Sequence, residues 1–144
     1  MIAATEAAAR SAAPFTIRLA GAGAFPGADR PRVVWLGIVE GSPELAALAA
    51  ILGDELAGRG WERDERPFRA HLTLGRADGV QGARRAVDAL AGAAATLEAA
   101  WMVDRLVVYQ SELGHGPARY RPLATAALGG GSTPGSLPGA APLR

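Results

Sequence analysis

The sequence predicts an α+β fold in which antiparallel sheets are covered by helices on one face. Strand-like and helix-like patterns follow each other in the order strand, strand, helix, strand, helix and then several strands. Clusters of glycine and proline separate these elements. With 144 residues, 49% of them hydrophobic and 20% charged, the chain suits one globular domain with a real core.

The N-terminal part predicts a helix and two strands. Residues 3–12 are rich in alanine, which favours a short helix. Residues 15–20 alternate apolar and polar side chains, as in a strand, and the glycines and proline of residues 21–27 then predict a turn or a bulge. The continuous apolar run 33–39 predicts a buried strand.

A helix is predicted to begin at Ser42. Ser42 is expected as the N-cap, Pro43 as the first helical residue and Glu44 as an acidic residue in the first turn. Apolar residues then recur at spacings of three and four, and the glycines at 58 and 60 end the helix.

The second half predicts one more helix and four strands. The charged residues 62–66 form a loop, His71–Leu74 is the third strand, and Val80–Ala94 is an amphipathic helix. Further strands are expected near residues 96–101, 105–111 and 120–128. Trp35 and Trp101 are expected in the core. The domain is predicted to span residues 1–128, followed by a flexible Gly/Pro/Ser tail at 129–144.

Composition excludes several kinds of function. The net charge of +1 does not indicate a general nucleic-acid binder. The absence of cysteine excludes disulfides, thiolate metal sites and cysteine nucleophiles, and two histidines far apart do not supply a zinc site, so no cofactor is expected. Glu6 and the lack of a long apolar run argue against a signal peptide, and no run approaches the ~20 residues of a membrane span. A cytoplasmic location is therefore expected.

The stretch RPFRAHLTLGR, residues 66–76, carries the strongest chemical signal. In a strand, residues two apart share a face, so His71 and Thr73 project together, while Leu72 and Leu74 are expected to point into a core. An imidazole moves protons near neutral pH, a hydroxyl can donate to a phosphate oxygen, and Arg76, near the strand end, is expected to be able to bind phosphate oxygens through its planar guanidinium. By itself, His-x-Thr is more often a buried histidine beside an ordinary strand threonine.

The flanking sequence resembles a known family. RPFRAHLTLGR, a helix and then VDRLVVYQSELGHGPARYRPLATAAL resemble the C-terminal half of the two-histidine phosphoesterases. The most similar branch is the bacterial and archaeal RNA 2',3'-cyclic phosphodiesterases, also called LigT-like or 2'-5' RNA ligase proteins. PFTIRLAGAGAFPGADRPRVVWLGI and the following helix resemble the middle of that family. The resemblance covers about residues 5–128 in one order.

The resemblance implies a bilobal fold, with antiparallel sheets, helices outside and a cleft between the lobes. Each lobe supplies one His-x-Thr motif: one histidine is the general acid, the other the general base, and no metal takes part. The implied substrates are RNA with 2',3'-cyclic phosphate ends or cyclic nucleotides, opened to 2'-phosphomonoesters. By position, His71 is the second-motif histidine and expected general base, Thr73 is the phosphate-binding threonine, and Arg76 is a further phosphate ligand.

The chain departs from the family pattern at its N-terminus. The first motif precedes the segment that matches residues 15–38, but only 14 residues precede Phe15 and none is histidine. The expectation is that the N-terminal elements are missing, through truncation or an incomplete gene model. The alternatives are a degenerate, non-catalytic family member that binds RNA ends or phosphate, and two chains that each offer a His71. His115, in Gly-His-Gly-Pro, is expected to be an exposed turn residue rather than a substitute.

Three more residues carry open alternatives. The resemblance places Tyr109 and Ser111 close to the substrate, but core packing of Tyr109 and hairpin hydrogen bonding of Ser111 explain them equally well. Phe68 either stacks on a nucleobase or, by the simpler interpretation, packs in the fold.

Overall fold

The computed structural model describes residues 1–27, 30–76, 80–97, 99–112 and 118–130. It contains three helices and six strands, followed by one 3-10 turn, within these residues. The helices are α1 Ile2–Arg10, α2 Ser42–Ala57 and α3 Val80–Ala94. The strands are β1 Phe15–Phe25, β2 Val33–Glu40, β3 His71–Arg76, β4 Ala99–Val103, β5 Arg105–Glu112 and β6 Arg119–Ala127, and the turn is Leu128–Gly130.

The strands form two antiparallel sheets. One has four strands in the order β3-β2-β1-β4, and the other pairs β5 with β6. Strands β3 and β4 are therefore the two edges of the larger sheet. The predicted α+β class with antiparallel sheets is confirmed.

The buried residues form two groups, each packed around different helices. Ala94 of α3 packs on Leu19 and Leu36, a group that we call the sheet core. Ala9 of α1, Leu48 of α2 and Leu128 form the second group, the helix-pair core. Burying a leucine side chain contributes roughly 1.5–3 kcal/mol, so these residues hold each lobe together. Helices outside two separate sheets agree with the bilobal arrangement that the resemblance implies.

Strand β1 continues through its glycine-rich stretch instead of turning there. The pairing with β2 shifts between Leu19 and Ala22, and Gly21 in this irregularity has φ 71°. Glycine adopts positive φ without the penalty that a Cβ imposes. The sequence feature is therefore a β-bulge, and the strand ends only at Phe25.

The residue that precedes α2 differs from the prediction. Gly41, not Ser42, is the N-cap; it has φ 74°, and its carbonyl accepts the amide hydrogen bond of Leu45 at 2.9 Å. A Cβ at Gly41 would collide with the carbonyl oxygen of Thr16. The close approach of β1 therefore selects glycine, while Pro43 and Glu44 stand in the first turn as predicted.

Three side chains predicted in the core are exposed. Leu72 is 43% exposed, Leu74 46% and Trp101 47%. All three belong to edge strands, which have a neighbour on one side only, and α3 packs over β1 and β2 rather than over β3. Core placement of these residues was therefore wrong, although the strands that carry them were predicted.

The last described residues of the chain contact its N-terminal part. Leu128 is buried, and the Gly129 amide donates to the Ala12 carbonyl at 2.7 Å. Residues 131–144, most of the predicted tail, lie outside the described residues, as does His115. None of the helices in the described ranges is long and apolar enough to cross a membrane.

Candidate active site

His71 is the first residue of β3, where the coil that follows α2 enters the sheet. Its Nδ1 lies 2.6 Å from the carbonyl oxygen of Arg69. A carbonyl oxygen only accepts, so a neutral imidazole places its proton on Nδ1 and donates it there. The lone pair of Nε2 is then left to accept a proton, which is the form that a general base requires.

Two aromatic rings surround the imidazole. The Phe25 ring meets His71 edge to face, with centroids 5.0 Å apart and planes at 85°. Trp35 lies 6.3 Å from His71 and 5.3 Å from Phe25. Trp35 lies across Gly23, where an added Cβ would stand only 2.5 Å from its Cη2. The absence of a side chain at Gly23 therefore makes room for this aromatic cluster.

A β-bulge in β3 sets which side chains share the face of His71. His71 pairs with Gly37 and Thr73 pairs with Trp35, but the next pair along β2 is Val34 with Gly75. Leu74 is thus an extra residue in the ladder. The last pair, Val33 with Arg76, puts Arg76 on the face of Trp35, because paired residues share a face and residues two apart in β2 do so as well.

His71, Thr73 and Arg76 therefore lie on one face of the larger sheet. Simple alternation from His71 would have put Arg76 on the opposite face, and the bulge corrects that by one residue. Thr73 and Arg76 are exposed, and neither side chain has a hydrogen-bond partner among the described residues. A hydroxyl and a guanidinium are thus available to an anion on the side where the imidazole lies.

The neighbouring arginine of the motif, Arg66, is already occupied. Its Nε lies 2.9 Å from Oδ1 of Asp64 and its Nη2 lies 2.6 Å from Oδ2, so the two side chains form a bidentate pair. The hydrogen bonds from Arg66 lower the pKa of Asp64 to about 2, and Asp64 raises the pKa of Arg66. Arg66 is therefore less available to a substrate phosphate than Arg76.

A cleft of about 750 Å³ opens beside His71, between α2 and the coil before β3. Phe68 and Arg69 line it together with small side chains of α2. Phe68 is 52% exposed, so it is not a core residue in the described part of the chain. Stacking of Phe68 on a base stays a prediction.

Tyr109 and Ser111 lie on β5, in the other sheet. Both are exposed, and they follow Val108, which is 7% exposed and faces the core. Core packing therefore does not explain Tyr109, which is 52% exposed. The Ser111 side chain makes no hydrogen bond within the described ranges, and the hairpin residues 113–117 lie outside them, so both interpretations of Ser111 stay predictions.

Sequence reasoning missed the supporting parts of this site. The carbonyl of Arg69, the ring of Phe25 and the bulge at Leu74 depend on how strands meet, and no local pattern marks them. No group of three potential metal ligands occurs among the residues that the structure describes. Proton transfer and anion binding by side chains are what this arrangement offers.

Comparisons with known proteins give consistent matches to one family. The family model for the 2'-5' RNA ligase superfamily matches residues 1–115. An RNA 2',3'-cyclic phosphodiesterase of Escherichia coli strain K12 is 32% identical over 114 residues, which cover 79% of this chain and 58% of the relative. A protein of the same name from Archaeoglobus fulgidus is 48% identical over 63 residues, 44% of this chain and 35% of the relative.

Two solved structures are similar to this chain over most of its length. Escherichia coli LigT in complex with 3'-AMP is similar with a TM-score of 0.62 and 32% identity, over 88% of this chain and 67% of that one. The protein TT0787 of Thermus thermophilus has a TM-score of 0.60 and 30% identity, over 89% of this chain and 68% of that one. The chain spans 35% to 58% of the length of the two curated relatives named above.

Proposed function

The chain belongs to the 2'-5' RNA ligase superfamily, and from that premise we propose that it is an RNA 2',3'-cyclic phosphodiesterase that acts without a metal. The observation that carries the proposal is the shared face of His71, Thr73 and Arg76, with Nδ1 of His71 held by a carbonyl. The relatives named RNA 2',3'-cyclic phosphodiesterase support the choice of reaction. The substrates would be RNA with 2',3'-cyclic phosphate ends or cyclic nucleotides, and the expected location is the cytoplasm.

The proposed reaction begins with proton transfer to His71. Nε2 takes a proton from a water molecule as the water oxygen attacks phosphorus. The bond between phosphorus and the 3' oxygen breaks, which leaves a 2'-phosphomonoester and a 3' hydroxyl. The Thr73 hydroxyl donates to a phosphate oxygen, and the Arg76 guanidinium stabilises the charge that develops on the other oxygens.

The leaving 3' oxygen also needs a proton. The described residues contain one imidazole, that of His71, and the chain's other histidine is His115. We expect water to protonate the leaving oxygen in a single chain. One general acid is typically worth ~10²–10⁴-fold in rate, so turnover should be slower by about that factor than with two imidazoles.

Hydrolysis of an oligoribonucleotide with a 2',3'-cyclic phosphate end, followed by ³¹P NMR or chromatography, tests the proposal. We expect slow turnover that disappears in His71→Ala and persists in the matched control His115→Ala. Rates per chain that rise with protein concentration would indicate a pair of chains that each supply a His71. No turnover, together with measurable binding of phosphate or RNA ends, would replace the enzyme with the non-catalytic alternative.

A further inference from the structure

The Phe25 ring contacts both the imidazole and the residue that holds it. We propose that Phe25 is a positioning residue that fixes the orientation and tautomer of His71. The effect on turnover rests on the proposed function, whereas the effect on the imidazole itself does not. Three contacts carry the inference, and each involves the ring of Phe25 at the end of β1.

The first contact limits the rotation of the imidazole. The torsion that turns a histidine ring about its Cβ–Cγ bond has a broad, two-fold profile, so the side chain alone does not fix where Nε2 points. The Phe25 ring meets the imidazole at 85° with centroids 5.0 Å apart. Edge-to-face pairs at such distances are preferred because the positive edge of one ring faces the negative face of the other. The contact therefore restricts the plane of the imidazole, and the hydrogen bond from Nδ1 to the Arg69 carbonyl distinguishes the two ring flips within that plane.

The second contact reaches His71 through Arg69. The Arg69 guanidinium carbon lies over the Phe25 ring, 6.0 Å from its centroid. Such a position is attracted by the ring quadrupole. The carbonyl of the same Arg69 accepts the Nδ1–H of His71 at 2.6 Å. Phe25 thus holds the residue that determines the tautomer, as well as the imidazole whose tautomer is determined.

The third contact fixes Phe25 itself. Trp35 packs against it with ring centroids 5.3 Å apart, and Trp35 in turn pairs with Thr73 across the ladder. Phe25 therefore contacts Trp35 of β2 on one side and His71 of β3 on the other. A side chain of similar volume without a ring would fill part of the space but would lose all three ring contacts.

Phe25→Leu is the variant that tests the inference, with Phe15→Leu as its matched control. Phe15 is at the opposite end of β1 and packs against the helix-pair core, so the same substitution there removes a ring away from His71. A displacement of about 1 Å at a catalytic group costs ~10²-fold in rate. We expect Phe25→Leu to lower kcat by about 10- to 100-fold with KM changed less than about 3-fold. Phe25→Tyr keeps the ring and should retain most of the activity.

The second readout is spectroscopic and needs no turnover. Long-range ¹H–¹⁵N NMR distinguishes the protonated ring nitrogen from the unprotonated one, and His115→Gln assigns the signals of the two histidines. At alkaline pH we expect His71 to carry its proton on Nδ1 in the wild type and in Phe15→Leu. In Phe25→Leu both nitrogen shifts should move toward the average of the two tautomers.

The kinetic and NMR measurements distinguish failure of the inference about Phe25 from failure of the proposed function. An unchanged tautomer in Phe25→Leu overturns the inference, as does a kcat within about 2-fold of that of Phe15→Leu in an active enzyme. If the wild type hydrolyses no cyclic phosphate, the proposed function fails, and the nitrogen shifts still decide the role of Phe25.

Discussion

Moving the Arg76 guanidinium by one residue tests the bulged register of β3. Arg76→Ala removes an exposed guanidinium that has no partner among the described residues, and such a group can donate hydrogen bonds to a substrate phosphate. A hydrogen bond to a charged group is worth about 1.5–3 kcal/mol, which corresponds to roughly 10- to 150-fold. We expect kcat/KM for a 2',3'-cyclic mononucleotide to fall by that factor.

The decisive variant is Gly75→Arg combined with Arg76→Ala. In a regular ladder, residue 75 would share the face of His71, and an arginine there would restore activity. In the bulged ladder Gly75 pairs with Val34, which is 5% exposed and lies on the other face. A Cβ at Gly75 would meet no atom within 4 Å, so the backbone accepts a side chain there.

Steady-state kinetics of the single and double variants distinguish the two registers. We expect the double variant to be as impaired as Arg76→Ala alone. Arg18→Ala is the control, since Arg18 lies on the same sheet but pairs with Glu40 at 3.3 Å. Restoration of kcat/KM to within about 3-fold of the wild type by the relocated arginine would refute the bulge as the origin of the shared face.

Three further predictions concern stability and pH. Leu36→Ala should lower the free energy of unfolding in urea by ~2–5 kcal/mol, because Leu36 is only 8% exposed. Leu72→Ala, at the exposed ladder partner of Leu36, should lower it by under about 1 kcal/mol, since Leu72 is 43% exposed. Gly41→Ala should destabilise by more than about 1–2 kcal/mol, because the positive φ alone costs that much and the added Cβ also collides with the Thr16 carbonyl oxygen. Gly53→Ala, in mid-helix with open space around it, should stabilise by roughly 0.5–1 kcal/mol, and thermal unfolding of the two variants would show these opposite signs. The folded-state pKa of Asp64, about 2, is below its ordinary value of 3.8, so the ion pair between Asp64 and Arg66 contributes stability above pH ~4. That contribution is lost as the pH falls toward 2. A ¹³C titration of the Asp64 carboxyl with an inflection near 4 would contradict the ion pair.

Local periodicity predicted most of the elements. Val80–Ala94 has the predicted bounds, and β2 and β5 begin at the predicted residues 33 and 105, because spacing along the chain is enough to identify such segments. Exposure of Leu72 and Trp101 was not predictable in this way. Whether a strand is at an edge depends on the order β3-β2-β1-β4, which no local pattern contains.

The sequence identifies candidate residues for the site but not their geometry. His71 and Thr73 share a face as the two-residue period requires. Arg76 joins them only because of an extra residue in the ladder, and the tautomer of His71 depends on a carbonyl in the preceding coil. Bulges and coil conformations arise from pairing between distant segments, so they appear only once the strands have been aligned.

Strand β1 connects the two cores of the molecule. Its first residue, Phe15, packs against the helix-pair core, while Leu19, four positions later, is buried in the sheet core. Separation of β1 from its neighbours would therefore expose both cores in one event. Amide protons of β1, α2 and β2 should accordingly exchange with solvent through a common opening of similar free energy, so the two lobes behave as one cooperative unit.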